Sequence, residues 1–217
     1  AVLAEARPLV QHGPFAMVVQ LLEAAEARLR LAMGDGGGAV AWAADVAWAA
    51  PVEPMALADV LRFAAAGVEA AGVTPARILV AYGRATGDAA LLERAKRHLE
   101  TAWQVSEGLG LGWLRLRVLI LRALLADALG DRDAALRSLA AAVAEAEPEG
   151  VIRPFLDEGE LMAALLATLS GAVRDGREPT AGLSTAFLGT LLAAFRGQGP
   201  GPRQTGLVEP LTARELE

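Results

Sequence analysis

Two histidines, a cluster of acids, one glycine-rich turn and an arginine-studded helix carry the side chains here whose types and spacing could do chemistry. Gly34-x-Gly36-x-x-Ala39 has the spacing of a dinucleotide-binding loop. Such a loop needs a strand to deliver the glycines and a helix N-terminus to receive the pyrophosphate. A helical apolar pattern precedes this one, so it reads as a turn. His12 and His98 are the only histidines and there is no cysteine, which leaves no donor set for a zinc ion. His98 lies at the edge of an apolar stripe beside Lys96 and Arg97, without a neighbouring carboxylate to orient it. It reads as a boundary residue rather than a general base.

Asp157, Glu158 and Glu160 could suggest Mg²⁺ or paired acid chemistry. Gathered at a helix start, they are explained by capping and by the positive end of the helix dipole. Ser138, Ser170 and Ser184 lack the G-x-S-x-G context of an activated serine. The expectation is no catalytic residue, no metal and no cofactor in this chain. Trp113, Arg115, Arg117 and Arg122 are a different matter, because an indole and several guanidiniums on one helix suit a hydroxylated or anionic ligand. Tyr82, on the corresponding helix of the preceding repeat, joins them as a candidate ligand-binding residue. The other reading makes Trp113 core and pairs the arginines with nearby acids.

The elements that would position these residues are helices. Hydrophobic residues make up 54% of the 217 and aromatics only 5%, and Ala and Leu, strong helix formers, dominate the apolar set. Phe15, Val18, Leu22, Ala25, Leu29 and Ala32 mark one helix face. A short helix over 39–49 follows, then one over 55–71, with Pro51 and Pro54 between them. Thr74 as N-cap and Pro75 at the first position open the next helix, to Thr86. Its partner over 88–107 turns Leu92, Ala95, Leu99 and Ala102 inward, sets Glu93 four before Arg97 on the wet side as an exposed pair, and is followed by the GLGLG connector at 108–112.

Helix 113–129 carries two apolar stripes, Trp113-Leu116-Ile120-Leu124 and Leu114-Val118-Leu121-Leu125-Leu129. A helix apolar on two sides must be covered on two sides, so it belongs to an inner layer. Helix 131–146 has one stripe, Leu136, Leu139, Val143 and Ala146, and belongs outside it. Pro154 is expected to break any helix around it, Asp157 to cap a helix over 158–169, 170–183 to be loose, and Ser184 to cap a helix over 184–196.

Three segments share one plan: helix, Gly-Asp turn, Ala-rich helix. The turns are Gly34-Asp35, Gly87-Asp88 and Gly130-Asp131. Glycine takes the left-handed C-cap conformation and the aspartate caps the following helix. The fold class is all-α, a TPR-like antiparallel helical-hairpin solenoid with divergent repeats and longer helices than the consensus of about 34 residues. Residues 1–14 are a lead-in, 15–169 the repeat domain, 170–196 short C-terminal helices and 197–206 a flexible linker. Thr212 and Glu215 form a capping box in 207–217, opening a further helix that the chain end truncates.

Charge and hydropathy exclude two classes of partner. At a net −6 spread along the chain, no broad basic surface exists for a phosphate backbone. No apolar run reaches the roughly 18 residues of a membrane span, and the N-terminus lacks a cleavable signal pattern. A cytoplasmic location fits the lack of cysteine. Both ends read as cuts from a longer protein.

LGDRDAALRSLAAAVAEAEPEGVIRPFLDEG, residues 129–159, with Met-Ala-Ala-Leu-Leu at 162–166, resembles the TPR-like sensor region of MalT-like, LuxR-type bacterial transcription regulators. GLVEPLTARELE, residues 206–217, resembles the entry to their C-terminal helix-turn-helix domain. The clear resemblance covers 75–169 and 206–217, while 15–73 agrees in helical style alone. It implies a region that accepts a small-molecule inducer or a regulatory protein and governs self-association, with DNA reached only through a C-terminal domain of which this chain holds the first residues. The G-x-x-x-x-G-K-[ST] loop of the family's ATP-binding switch is missing from this sequence, so no ATP site is implied here. The alternative is a TPR-like scaffold that binds a protein or peptide and has no small-molecule site.

Overall fold

The computed structural model describes residues 16–45, 72–176 and 182–197. The helix expected over 55–71, the lead-in, most of the linker and the 207–217 segment lie outside the described residues. Those described are helices and short turns, in the order α1 (Ala16–Ala32), α2 (Gly36–Asp45), α3 (Thr74–Thr86), α4 (Ala89–Gly108), α5 (Gly112–Ala128), α6 (Arg132–Ala146), α7 (Arg153–Leu156), α8 (Glu160–Arg174) and α9 (Thr185–Gly197). A 3₁₀ turn, Glu147–Glu149, links α6 to α7.

The Gly-Asp plan is a single piece of local chemistry used three times. Gly34, Gly87 and Gly130 have φ of 89°, 70° and 81°, where a side chain would be strained. The next residue's N–H donates to the carbonyl five back: Asp35 to Arg30 at 2.9 Å, Asp88 to Gly83 at 3.0 Å, Asp131 to Ala126 at 2.9 Å. These are Schellman closures that satisfy orphan carbonyls of the ending helix. Each aspartate then caps the next helix. Asp35 accepts from the Gly38 N–H at 3.0 Å, Asp88 from Ala90 at 2.9 Å and Leu91 at 3.3 Å, and Asp131 from Ala134 at 2.9 Å. The turns thus fold three hairpins, α1–α2, α3–α4 and α5–α6.

The hairpins stack. α3 packs on its own partner α4, on both helices of the first hairpin, chiefly α2, and on α5, and α5 packs on α3, α4 and α6. Burial of α5 follows its double stripe: Leu114, Leu116, Val118, Ile120, Leu121, Leu124 and Leu125 are all buried. Each such side chain contributes about 1.5–3 kcal/mol relative to exposure, so α5 anchors the core. Only the ends of the stripes emerge, at Trp113 and Leu129. In α4, Leu92, Ala95, Leu99 and Ala102 point inward as their spacing requires. α6 buries Leu139, Val143 and Ala146 against α5, and α8 covers it in turn.

Several local expectations are corrected. Among the described side chains of α1 the buried ones are Ala24 and Ala27, while Leu22 and Leu29 are exposed. In an Ala-rich helix two neighbouring faces both read as apolar, and alanines sit where the axes approach most closely. Thr74 is not an N-cap; it is the first helical residue and is buried, with Val73 before it and no side-chain cap. Pro154 does not break a helix but begins one, in the first turn of α7, where its missing N–H costs nothing. The turn seats Phe155, which is fully buried.

Asp157 caps nothing; it accepts from Arg153 at 2.7 Å, and Gly159 precedes α8 without a side-chain cap. α8 runs on to Arg174, through residues expected to be loose. Ser184 does cap, accepting from the Phe187 N–H at 3.2 Å.

Candidate ligand-binding site

Two of the four candidate residues of α5, Arg115 and Arg122, are already engaged with acids of the flanking helices. Arg115 donates through Nε to both oxygens of Glu145 on α6, at 2.8 and 2.9 Å. That hydrogen bond, and the charge behind it, raise the Arg115 pKa above its ordinary value. Arg122, one stripe position further along, donates to Glu100 on α4 at 2.9 Å and lies 4.5 Å over the Trp103 ring. Partial burial lowers its pKa, which leaves a guanidinium cationic all the same. Arg117 is half-buried and has an interaction of its own. Trp113, at the start of α5, is exposed.

Tyr82 is not gathered with them. Its ring lies over Gly36, so close that a Cβ on that residue would overlap it. This explains a glycine of the G-x-G-x-x-A pattern without any phosphate: Gly36 is where the first hairpin and the second touch. The five candidates are therefore not one site: Arg115 and Arg122 share a stripe of α5 and pair with Glu145 and Glu100, Trp113 and Arg117 lie about half a turn away round the helix, and Tyr82 is a separate packing contact.

A different group converges on α4. Arg94, Arg97, His98 and Thr101 line a shallow, open cleft of about 240 Å³. Their i, i+3, i+4, i+7 spacing places them on one face, beside the face formed by Leu92, Ala95, Leu99 and Ala102. Arg94 reaches across to the preceding hairpin and donates to the Ala44 carbonyl at 2.5 Å, near the C-terminal end of α2. Thr101 is tied to its own helix through the Arg97 carbonyl at 3.1 Å.

His98 is half-buried, and its Nδ1 is buried without a hydrogen-bond partner. Burial first, then the charges of Arg94 and Arg97, push its pKa below the ordinary imidazole value. The expected Glu93–Arg97 pair does not form: among the described residues no carboxylate pairs with Arg97, which turns to the cleft instead. Sequence reading passed over this cleft because it weighed His98 alone. The signal was the polar stripe Arg94-x-x-Arg97-His98-x-x-Thr101 as a unit.

The acids at 157–160 take structural partners. Glu158 accepts from Arg77 of α3, and Asp157 from Arg153. Among the described residues no three His, Asp or Glu side chains converge to hold a metal ion, and no helix is long and apolar enough to cross a membrane.

Stacked helical hairpins, joined by left-handed glycine turns and presenting helix faces rather than a deep pocket, define a TPR-like repeat module. The model of the MalT-like TPR region matches residues 1–172, and the chain belongs to that family. The match takes in the first hairpin, where the sequence resemblance had been one of style. No curated protein and no solved structure matches the chain.

Proposed function

We propose that this chain is the effector-sensing and self-association region of a MalT-like, LuxR-type transcription regulator, controlling an attached helix-turn-helix domain in the cytoplasm. The observation that carries the reading is the family match over residues 1–172 on a stack of helical hairpins. A repeat stack suits the role because each hairpin packs chiefly on its neighbours, so a ligand at one seam can bias how hairpins pack along the array. DNA would be met through the attached domain, in keeping with the chain's net charge of −6.

A hydroxylated or anionic ligand at Arg115 and Arg122 would have to compete with Glu145 and Glu100, and Trp113 lies about half a turn away round α5. The test is light scattering on size-exclusion peaks across a concentration series, with and without a panel of sugars and small acids, for this chain and for a longer one that includes the helix-turn-helix domain. The reading expects association that rises with concentration and changes with one class of effector. A strict monomer indifferent to every addition would sink it.

The second reading, a scaffold that captures a protein or peptide, draws on α1. Leu22, Leu29 and Met33 are exposed at seven- and four-residue steps, an apolar stripe of the kind that an amphipathic helix covers. It expects capture of an amphipathic peptide without any small-molecule response.

A further inference from the structure

We propose that the α4 cleft formed by Arg94, Arg97, His98 and Thr101 is a binding site for the oxyanion headgroup, phosphate or carboxylate, of a small metabolite. The argument starts from charge. The chain carries 26 acidic against 20 basic Lys and Arg side chains, yet two arginines of α4 face one cleft without an acid between them. Arg97 has no acid partner among the described residues, as is also true of Arg28 and Arg137; what distinguishes it is that it shares a cleft with a second guanidinium, Arg94, and with His98.

Arg94 spends one nitrogen on the Ala44 carbonyl, which holds its guanidinium at the cleft wall and leaves further N–H donors. The charges acting on His98 are those of these two arginines, both positive. Its Nδ1 is buried beside them with nothing to bond. A buried polar atom without a partner costs about 1–3 kcal/mol, which a small turn of the ring that lets Nδ1 meet an acceptor oxygen in the cleft would recover. Guanidinium and imidazole groups lining one cleft are the chemistry of phosphate and carboxylate recognition.

The cleft volume, about 240 Å³, is smaller than the roughly 300–1,000 Å³ of pockets that enclose a drug-sized ligand. It therefore takes a headgroup and leaves the rest of the metabolite outside. Arg94 connects that headgroup to α2, so occupancy bears on the seam between the first two hairpins. This deepens the effector reading above by giving the effector a chemical class; the anion site itself stands on the cleft alone.

The experiment is a titration of the whole chain with inorganic phosphate and, separately, with acetate, followed through the His98 imidazole resonances by NMR. His98→Gln assigns them against His12, and sodium chloride at matched ionic strength is the control. The expected result is a saturable shift with a dissociation constant near about 1 mM, absent with chloride. Arg97→Gln should weaken it about tenfold while leaving the melting temperature unchanged, as befits an exposed side chain. Tighter phosphate than acetate marks a phosphorylated metabolite, and the reverse a carboxylated one; both support the site.

No saturable shift with either anion, a shift that chloride reproduces, or affinity unaltered in Arg97→Gln would each overturn it. Phosphate that binds without changing the association state removes the regulatory reading and keeps the site. A neutral sugar that changes association while phosphate leaves His98 unmoved does the opposite.

Discussion

Arg77 and Glu158, 81 positions apart, form a buried ion pair that ties the second hairpin to the segment following the third. Nε and Nη2 of Arg77 donate to one oxygen of Glu158 at 2.9 and 2.7 Å, and the two side chains are only 14% and 6% exposed. Removing one member leaves the other charge in a poorly solvated site, so Glu158→Ala should cost about 3–5 kcal/mol. A well-packed apolar pair, Arg77→Met with Glu158→Leu, should recover most of it. Urea denaturation reads both, and a Glu158→Ala midpoint equal to wild type would refute the assignment.

This pair also marks the limit of what the sequence makes legible. The Gly-Asp turns can be read directly because every atom involved lies within about six residues, and all three fold as their residue types dictate. α5 is legible too, since Leu and Ile on two stripes demand burial on both. Glu158 looked like part of a helix-start acid cluster because Arg77 cannot be placed beside it by any local rule. The α1 face went astray because Ala24 and Ala25 are equally apolar in sequence, and only the neighbouring helices decide which is covered. The α4 cleft needed one further fact, the approach of the Ala44 carbonyl to Arg94, which fixes one wall of the cleft and which no spacing within α4 can supply.

Gly36 should tolerate no side chain while Tyr82 is in place. A Cβ there would fall inside contact distance of the tyrosine ring, and relief requires the ring or the α2 terminus to move. Overpacking of this kind costs about 1–3 kcal/mol. Gly36→Ala should lower the thermal midpoint, and the loss should shrink in a Tyr82→Ala background. Equal losses in the two backgrounds would mean that the glycine is needed for its backbone and not for the approach of the ring.

Asp127, near the end of α5, joins three hairpin-forming segments. One oxygen accepts from Arg84 of α3 at 2.5 Å, the other from Arg132 of α6 at 2.9 Å, and Arg132 continues to the Thr168 hydroxyl of α8 at 2.8 Å. The carboxylate is 12% exposed, Arg84 is 32% exposed and Arg132 55%. The better-buried Arg84 bond should be worth about 1.5–3 kcal/mol as a charged hydrogen bond, and the Arg132 bond under about 1 kcal/mol. Double-mutant cycles with Asp127→Ala separate them. Coupling to Arg132 equal to or larger than coupling to Arg84 would contradict the ranking drawn from exposure.

His98 makes stability depend on pH with a definite sign. Burial, then Arg94 and Arg97, hold its folded-state pKa below the unfolded value of about 6.5. Between those two values the unfolded chain binds the proton more readily than the folded one, so acid favours unfolding. Its contribution is thus complete above about pH 6.5, falls as the pH drops below that, and levels off beneath the folded pKa. The difference in melting temperature between wild type and His98→Gln isolates this residue from the carboxylates that titrate lower. That difference should be constant above about pH 7 and should turn against the wild type towards pH 5.5. Phosphate should blunt the acid loss, because an oxyanion beside the ring favours its protonated form. Parallel melting curves for the two proteins through this range would show that His98 titrates alike in both states, and that its burial among arginines has no energetic consequence.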